Sequence, residues 1–264
     1  MDLKKTKVIF VIDQSGSMQG QQKDVIGGFN GYIETLKEQP GDYEVTLIKF
    51  ENTTEVVYRN TPLSRVKKLT DYRPGGATAL LDAVGEAIKI VEESKGRTIR
   101  TETEAITKTG KTVKKVTTTT IESPEYDPSV IVIITDGGEN ASRKHTRSVI
   151  KERIKEAEKS FNTAFIYLGA GEEAWTGGEN LGFANNFTGS TKTFYSKRMS
   201  DTLASATASV GVSGSTAGFD LMPSALQYAA NRGEDDVLLR SVTQTAASVD
   251  VDKKTGKKTI KEVK

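Results

Sequence analysis

Cysteine, net charge and long hydrophobic runs are all scarce in this sequence, and each scarcity excludes a class of protein. The 264 residues contain no cysteine, which excludes disulfide bonds, thiolate metal sites and cysteine nucleophiles. Lys and Arg number 37 and Asp and Glu 35, so the formal net charge of +2 gives no overall attraction to nucleic acid or membranes. No apolar run approaches the roughly 20 residues of a membrane span or the core of a signal peptide. We therefore expect a soluble, cytoplasmic protein.

The hydrophobic residues, 36% of the chain, follow two alternating patterns. Short runs rich in Val, Ile and Phe predict strands over 7–13, 43–50, 129–136 and 162–169. Apolar residues at helical spacing predict helices over 21–39, 79–94 and 146–160. A further run at 55–60 predicts an antiparallel edge strand. Strands that alternate with amphipathic helices predict an α/β fold: a Rossmann-like, open and mostly parallel sheet with helices on both faces.

Two polar, Thr- and Lys-rich segments depart from this alternation. Residues 97–122 predict an inserted β-hairpin, and the basic tail at 249–264 has the same composition. Either both hairpins are solvated, or their edge strands recruit a partner or a second copy of the chain. We expect one domain over 1–233 and a C-terminal extension over 234–264. Within the domain, 200–218 predicts a loop and 219–233 a late helix.

Polar side chains lie at the ends of three of the predicted elements. Asp13, Ser15 and Ser17 come directly after the first strand, Thr78 precedes a helix, and Asp136 ends a later strand. In an open parallel sheet the carboxyl ends of the strands share one edge, so these groups are expected to converge. Carboxylate and hydroxyl oxygens suit Mg²⁺, Mn²⁺ or Ca²⁺ rather than zinc. Two carboxylates and three hydroxyls leave such a cation with bound water, and a partner's Asp or Glu could displace one of its waters.

These motifs resemble those of von Willebrand factor A domains. DQSGSM (13–18) is similar to the DxSxS motif of that family, and Thr78 in GGATALLDA and Asp136 in TDGGEN match its second and third loops. The resemblance covers roughly 7–190 and is strongest to short intracellular bacterial and phage members. It implies a metal-ion-dependent adhesion site in which Asp13, Ser15 and Ser17 hold the ion. It further implies that Thr78 joins in one ligand state and that Asp136 acts through water.

Each of these residues also has an ordinary structural explanation. An Asp-x-Ser-x-Ser stretch alone is usually a capped turn, but capping does not explain three such groups at three loops. Asp82 and Glu139 are candidates for an outer layer around the metal, or for a helix-surface charge and a helix cap. We expect His145, the single histidine, to be solvated or capping, and Trp175 to be a core anchor.

The sequence argues against an enzyme. A haloacid-dehalogenase phosphatase needs a second aspartate where Ser15 stands, and a serine hydrolase needs a G-x-S-x-G elbow that is missing. No P-loop is present, and GAG at 169–171 is only half of a dinucleotide fingerprint.

We therefore predict a metal-dependent adaptor that binds the Asp or Glu of a protein partner. The alternative is a structural protein that self-associates through 97–122 or 249–264, with the metal only bracing the loops. Acidic interruptions and the lack of aromatic residues in the basic hairpin argue against nucleic-acid binding.

Overall fold

The computed structural model describes most of the sheet and its helices. The described residues are 5–93, 127–136, 138–170, 177–178, 180–183, 185–189, 197–217, 219, 238–240, 246–251 and 258–263. The predicted hairpin at 97–122, Trp175 and all but the first residue of the predicted helix at 219–233 lie outside these ranges.

The strands form one mixed sheet with a parallel centre. They are β1 Lys5–Asp13, β2 Asp42–Phe50, β3 Thr54–Pro62, β4 Ser129–Thr135, β5 Thr163–Ala170, β6 Asn185–Gly189, β7 Leu238–Arg240, β8 Ala246–Val251 and β9 Lys258–Val263. Their order is β3-β2-β1-β4-β5-β6-β7-β8-β9. The five strands from β2 to β6 in that order run parallel, whereas β3 pairs antiparallel with β2, and β7, β8 and β9 each pair antiparallel with their neighbours. The predicted parallel sheet and its antiparallel edge strand are confirmed.

Helices cover both faces of the parallel centre. They are α1 Gln22–Lys37, α2 Leu80–Glu93, α3 Arg147–Ser160 and α4 Lys197–Ser213. Because side chains alternate along a strand, Phe10 of β1 packs in the core beneath α1 and α4, and Ile9 packs beneath α2 and α3. Burial on both faces explains why the central strands are almost continuously apolar.

The loop predicted for 200–218 is wrong, because most of this segment belongs to α4. Leu203, Ala204 and Val210 recur at helical spacing and are buried in the core under α1. Most of the buried residues of α4 are small, so the helical spacing of its apolar residues is hard to detect in the sequence. The small residues also let two helices approach closely enough for direct polar contact.

Side-chain hydrogen bonds fix α4 against α1. The Tyr32 hydroxyl donates to Thr207 Oγ1 at 3.0 Å, and Ser200 Oγ donates to the Gly28 carbonyl at 3.0 Å. Both bonds are buried, where an unpaired polar group would be costly. The stability of α4 therefore depends more on its contacts with α1 than on the pattern of apolar residues in its own sequence.

The last described strands extend the sheet beyond β6. Strands β8 and β9 pair antiparallel, and residues 252–257 between them lie outside the described ranges. The domain boundary near residue 233 stays a prediction. None of the helices in the described part of the chain has the length and apolarity that a membrane span requires.

The burial of α4 predicts the effect of truncating its apolar side. Leu203→Ala should lower the free energy of unfolding by about 2–5 kcal/mol, because the side chain is 3% exposed and leaves a cavity. Val212→Ala, on the same helix but 61% exposed, is the matched control and should change stability by less than about 0.5 kcal/mol. Equal urea midpoints for the two variants would contradict the packing of α4.

Candidate metal centre

The register of the sheet brings the first and third polar loops together. Strand β1 ends at Asp13 and the neighbouring strand β4 ends at Thr135, one residue before Asp136. The two strands are parallel, and Ile12 is paired with Ile134. Asp13 and Asp136 therefore leave the sheet at the same edge, as the sequence predicted.

Asp13 is the buried centre of the site. Its side chain is 0% exposed; Oδ1 accepts the Ser15 N–H at 2.7 Å and Oδ2 accepts the Thr135 hydroxyl at 2.6 Å. The Asp13 carbonyl accepts a hydrogen bond from the Tyr72 hydroxyl. Burial raises the pKa of Asp13, and the bonds from Thr135 and Ser15 oppose that rise. A buried carboxylate of this kind is stabilised by a nearby positive charge.

The remaining oxygens of the first loop connect Asp13 to Asp136. Ser15 Oγ lies 3.0 Å from Ser17 Oγ, and Ser17 Oγ donates to Asp136 Oδ1 at 2.7 Å. Ser15 is 2% exposed, whereas Ser17 lies on the surface. The row of oxygens thus runs from the protein interior to solvent, which makes the centre accessible from one side.

The second loop is held against the first by its backbone. The Gly75 N–H donates to the Gln14 carbonyl at 2.9 Å, and the Gly16 N–H donates to the Gly76 carbonyl at 3.1 Å. A Cβ at Gly16 would lie 3.3 Å from the Gly76 oxygen, and Gly76 has a φ of +70°. Glycine is needed at both positions because a side chain would crowd or strain the junction.

The third loop fixes Thr78 in the second. The Thr78 N–H donates to Asn140 Oδ1 at 2.8 Å, and the N–H groups of Asn140 and Ala141 donate to the Thr78 carbonyl at 3.0 and 3.2 Å. Thr78 is 4% exposed. Its backbone is therefore bound on both sides by the loop that follows Asp136.

The donor set fits a hard divalent cation. The hydrogen bonds connect the carboxylates of Asp13 and Asp136 through the hydroxyls of Ser15 and Ser17, and the backbone of Thr78 is fixed by the third loop. Such oxygens are the ligands that Mg²⁺, Mn²⁺ and Ca²⁺ prefer. Among the described residues, no three His, Cys, Asp or Glu side chains are grouped closely enough to hold a metal ion.

Asp82, a predicted outer residue, binds the third loop with its carboxylate. The carboxylate accepts the N–H groups of Arg143, Lys144 and His145 at 2.9 to 3.0 Å. Burial acts to raise the pKa of Asp82, but these backbone hydrogen bonds outweigh it and hold the pKa below its usual value. The structure gives Asp82 the role of fixing this loop.

Glu139, the other predicted outer residue, joins the third loop to α2. Its carboxylate accepts the Leu81 N–H at 2.9 Å and the Ser142 N–H at 2.7 Å. The sequence predicted that Glu139 would rim the site or cap the helix that follows it, α3, but the helix whose N–H group it binds is α2. His145 is half-buried rather than solvated, with Nδ1 3.3 Å from Asp82 Oδ1.

Two residues that the sequence analysis missed contact the predicted ligands. Gln21 Nε2 donates to Asp136 Oδ2 at 2.9 Å, and the Thr135 hydroxyl donates to Asp13 as described above. Thr135 carried a detectable signal, since it is a polar residue in an apolar strand. Gln21 carried none, because it lies in a polar stretch before α1.

Comparison with protein families decides the class of the domain. Residues 7–209 match the family model of the von Willebrand factor type A domain. The chain belongs to this family. Its domains are typically protein-interaction or adhesion modules with a metal-ion-dependent adhesion site, and generally not enzymes. No curated protein matches the chain.

Solved structures of low identity share the fold. A von Willebrand factor type A protein from Catenulispora acidiphila has 13% identity and a TM-score of 0.50, covering 78% of this chain and 43% of that one. The D319A mutant of the PilB minor pilin from Streptococcus sanguinis has 12% identity and a TM-score of 0.51, with coverages of 78% and 62%. The chain described here thus spans less than two thirds of the length of either protein.

The contacts of Thr78 predict a variant that affects the metal centre selectively. Asn140→Ala removes the acceptor for the Thr78 N–H and should weaken Mn²⁺ binding by about 10- to 100-fold in a calorimetric titration. Asn30→Ala is the control, because Asn30 Oδ1 accepts the Leu69 N–H as Asn140 Oδ1 accepts the Thr78 N–H, and Asn30 Nδ2 also donates to the Leu69 carbonyl. Both variants should lose about 1 kcal/mol of stability. Equal Mn²⁺ affinities would contradict the role of Asn140.

Proposed function

We propose that this chain is a divalent-cation-dependent protein-binding module. Asp13, Ser15, Ser17, Thr78 and Asp136 would hold Mg²⁺, or Mn²⁺ or Ca²⁺ in its place. A bound cation supplies a positive charge that attracts the Asp or Glu side chain of a protein partner. The observation that supports this function is the hydrogen-bonded junction of three loops around the buried Asp13.

The charges of the site make partner binding depend on the cation. Asp13 and Asp136 contribute two negative charges, and Ser15, Ser17 and Thr78 contribute none. Without a cation, an approaching carboxylate would meet carboxylates of the same charge. An acidic partner is therefore excluded from the metal-free site and admitted when the cation is bound.

The surroundings of the site favour binding over catalysis. His145 is the only histidine of the chain, and its ring lies 3.3 Å from Asp82 Oδ1 and 3.4 Å from Arg153 Nη1. It is thus engaged between α2 and α3 and is not aimed at the oxygens of the centre. The cytoplasmic location and the bacterial or phage setting remain predictions from the sequence.

Removal of the metal or of its central ligand tests this function. A pull-down in Mg²⁺ should capture a partner, and the same pull-down in EDTA or with Asp13→Ala should lose it while the fold persists. Asp42→Ala is the matched control, since Asp42 is exposed at the start of β2, at the opposite edge of the sheet. Capture of the same partner by chelated protein would show that the adhesion role is wrong.

Self-association through the tail is a second candidate function. Strand β9 is the last strand in the order of the described sheet and has a neighbour on one side only, β8. An edge of this kind offers unpaired backbone groups to another strand. A corresponding role for 97–122 stays a prediction from the sequence.

Deletion of the end of the tail separates the two candidates. Removal of residues 252–264 deletes β9 and should abolish any dimer seen in sedimentation, while Mg²⁺-dependent capture survives. Loss of capture together with the dimer would place the tail in the recognition surface, and an unchanged dimer would exclude the tail as its interface.

A further inference from the structure

The segment from the end of the third loop to the first residue of α3 carries exposed positive charge. Arg143, Lys144 and Arg147 all lie on the surface. Ion pairs in the described part of the chain involve other cations, and none of them includes these three. We call Arg143, Lys144 and Arg147 the basic rim.

Two acidic residues whose carboxylates bind this segment, Asp82 and Glu139, are turned inward. Asp82 is 9% exposed and its carboxylate is occupied by the N–H groups of residues 143–145. The Glu139 carboxylate accepts the Leu81 N–H and the Ser142 N–H and hydroxyl. Neither carboxylate is directed at the cationic side chains, so the positive charge of the basic rim is presented to solvent.

The backbone of this segment is held in one shape. The N–H groups of Arg143 and Lys144 point at Asp82, and the His145 ring packs directly on Gly85 of α2, where an added Cβ would lie 2.6 Å from its Cε1. Arg153 approaches the other side of the ring. The basic rim is thus a pre-organised surface, which reduces the entropy lost when a partner binds.

In the described part of the chain, the other two loops are flanked by fewer unpaired cations. Residues 19–22, which follow the first loop, are uncharged, and Lys23 after them is a single exposed cation beside Asp24. On the side of the second loop, Arg73 is paired with Asp71 at 2.7 Å. Among the described residues around the centre, the three cations of the basic rim therefore form the largest group of unpaired positive charges.

We propose that the basic rim is a second contact surface of the metal centre, which binds acidic residues flanking the carboxylate that a protein partner brings to the metal. This inference rests on the proposed function and specifies its partner as an acidic segment. Three cations are few for nucleic-acid binding, which is driven by release of counterions from many phosphates, often six or more. Next to a site for a carboxylate, they suit a short acidic peptide better.

A charge-matched pair of variants tests the basic rim. The first variant carries Arg143→Gln, Lys144→Gln and Arg147→Gln. The control carries Lys37→Gln, Lys67→Gln and Lys159→Gln, which are exposed and lie outside the third loop. Both variants lower the formal net charge from +2 by three. Only exposed side chains change, so both proteins should fold.

Two labelled peptides serve as probes in fluorescence anisotropy, each in Mg²⁺ and in EDTA at low salt. One has a single glutamate in a Gly-Ser sequence, and the other has that glutamate flanked by two aspartates on each side. The basic-rim variant should bind the flanked peptide roughly tenfold more weakly than the control, with the difference shrinking at high salt. The single-glutamate peptide should not distinguish the variants.

Several results would overturn the proposal. These are equal binding of the flanked peptide by the two variants, no binding of it by the unmodified chain, or a larger loss for a thymidine oligonucleotide than for the peptide. The proposed function fails separately. If the unmodified chain binds the flanked peptide equally in EDTA, the metal has no part in recognition, and the difference between the variants then reports the basic rim alone.

Discussion

The site depends on one buried carboxylate at the end of a central strand. Asp13 is fully buried, and it is satisfied by hydrogen bonds from Ser15 and Thr135. A charge in such a place is costly unless neighbours or a cation compensate it. Two neighbours compensate this charge: the Ser15 N–H donates to the Asp13 carboxylate, and so does the Thr135 hydroxyl at the end of the adjacent strand β4. Burial makes the negative charge of Asp13 destabilising for the fold, and the same burial favours Asp13 as a ligand of a cation.

The loops around Asp13 form a single unit. Backbone bonds join the first loop to the second, Asn140 joins the second to the third, and Ser17 with Gln21 joins the first to the third through Asp136. An arrangement of this kind would hold the proposed ligand oxygens in position before a cation binds. A change in any one loop is therefore expected to reach the other two, although each belongs to a different part of the sequence.

Around the third loop, two acidic side chains point inward and the basic side chains lie on the surface. Asp82 and Glu139 use their negative charge to hold backbone N–H groups, and Arg143 and Lys144 keep their positive side chains in solvent. The two acidic residues thus fix the backbone of a segment whose exposed side chains are positive. Composition alone, with its near balance of charge, conceals this local excess.

The sequence by itself determined the strands β1 to β5 and the helices α1 to α3, and it predicted the ligand residues. Runs such as 129–136 are apolar because they are covered on both faces, and Asp13 or Asp136 stands out at the end of such a run. The tertiary structure decided α4, whose small residues carry little periodic signal, and the partners of the ligands. Gln21 lies 115 residues from Asp136 and Thr135 lies 122 from Asp13, so only the pairing of β1 with β4 brings each together. Local pattern records burial, but contacts between distant segments exist only after the chain has folded.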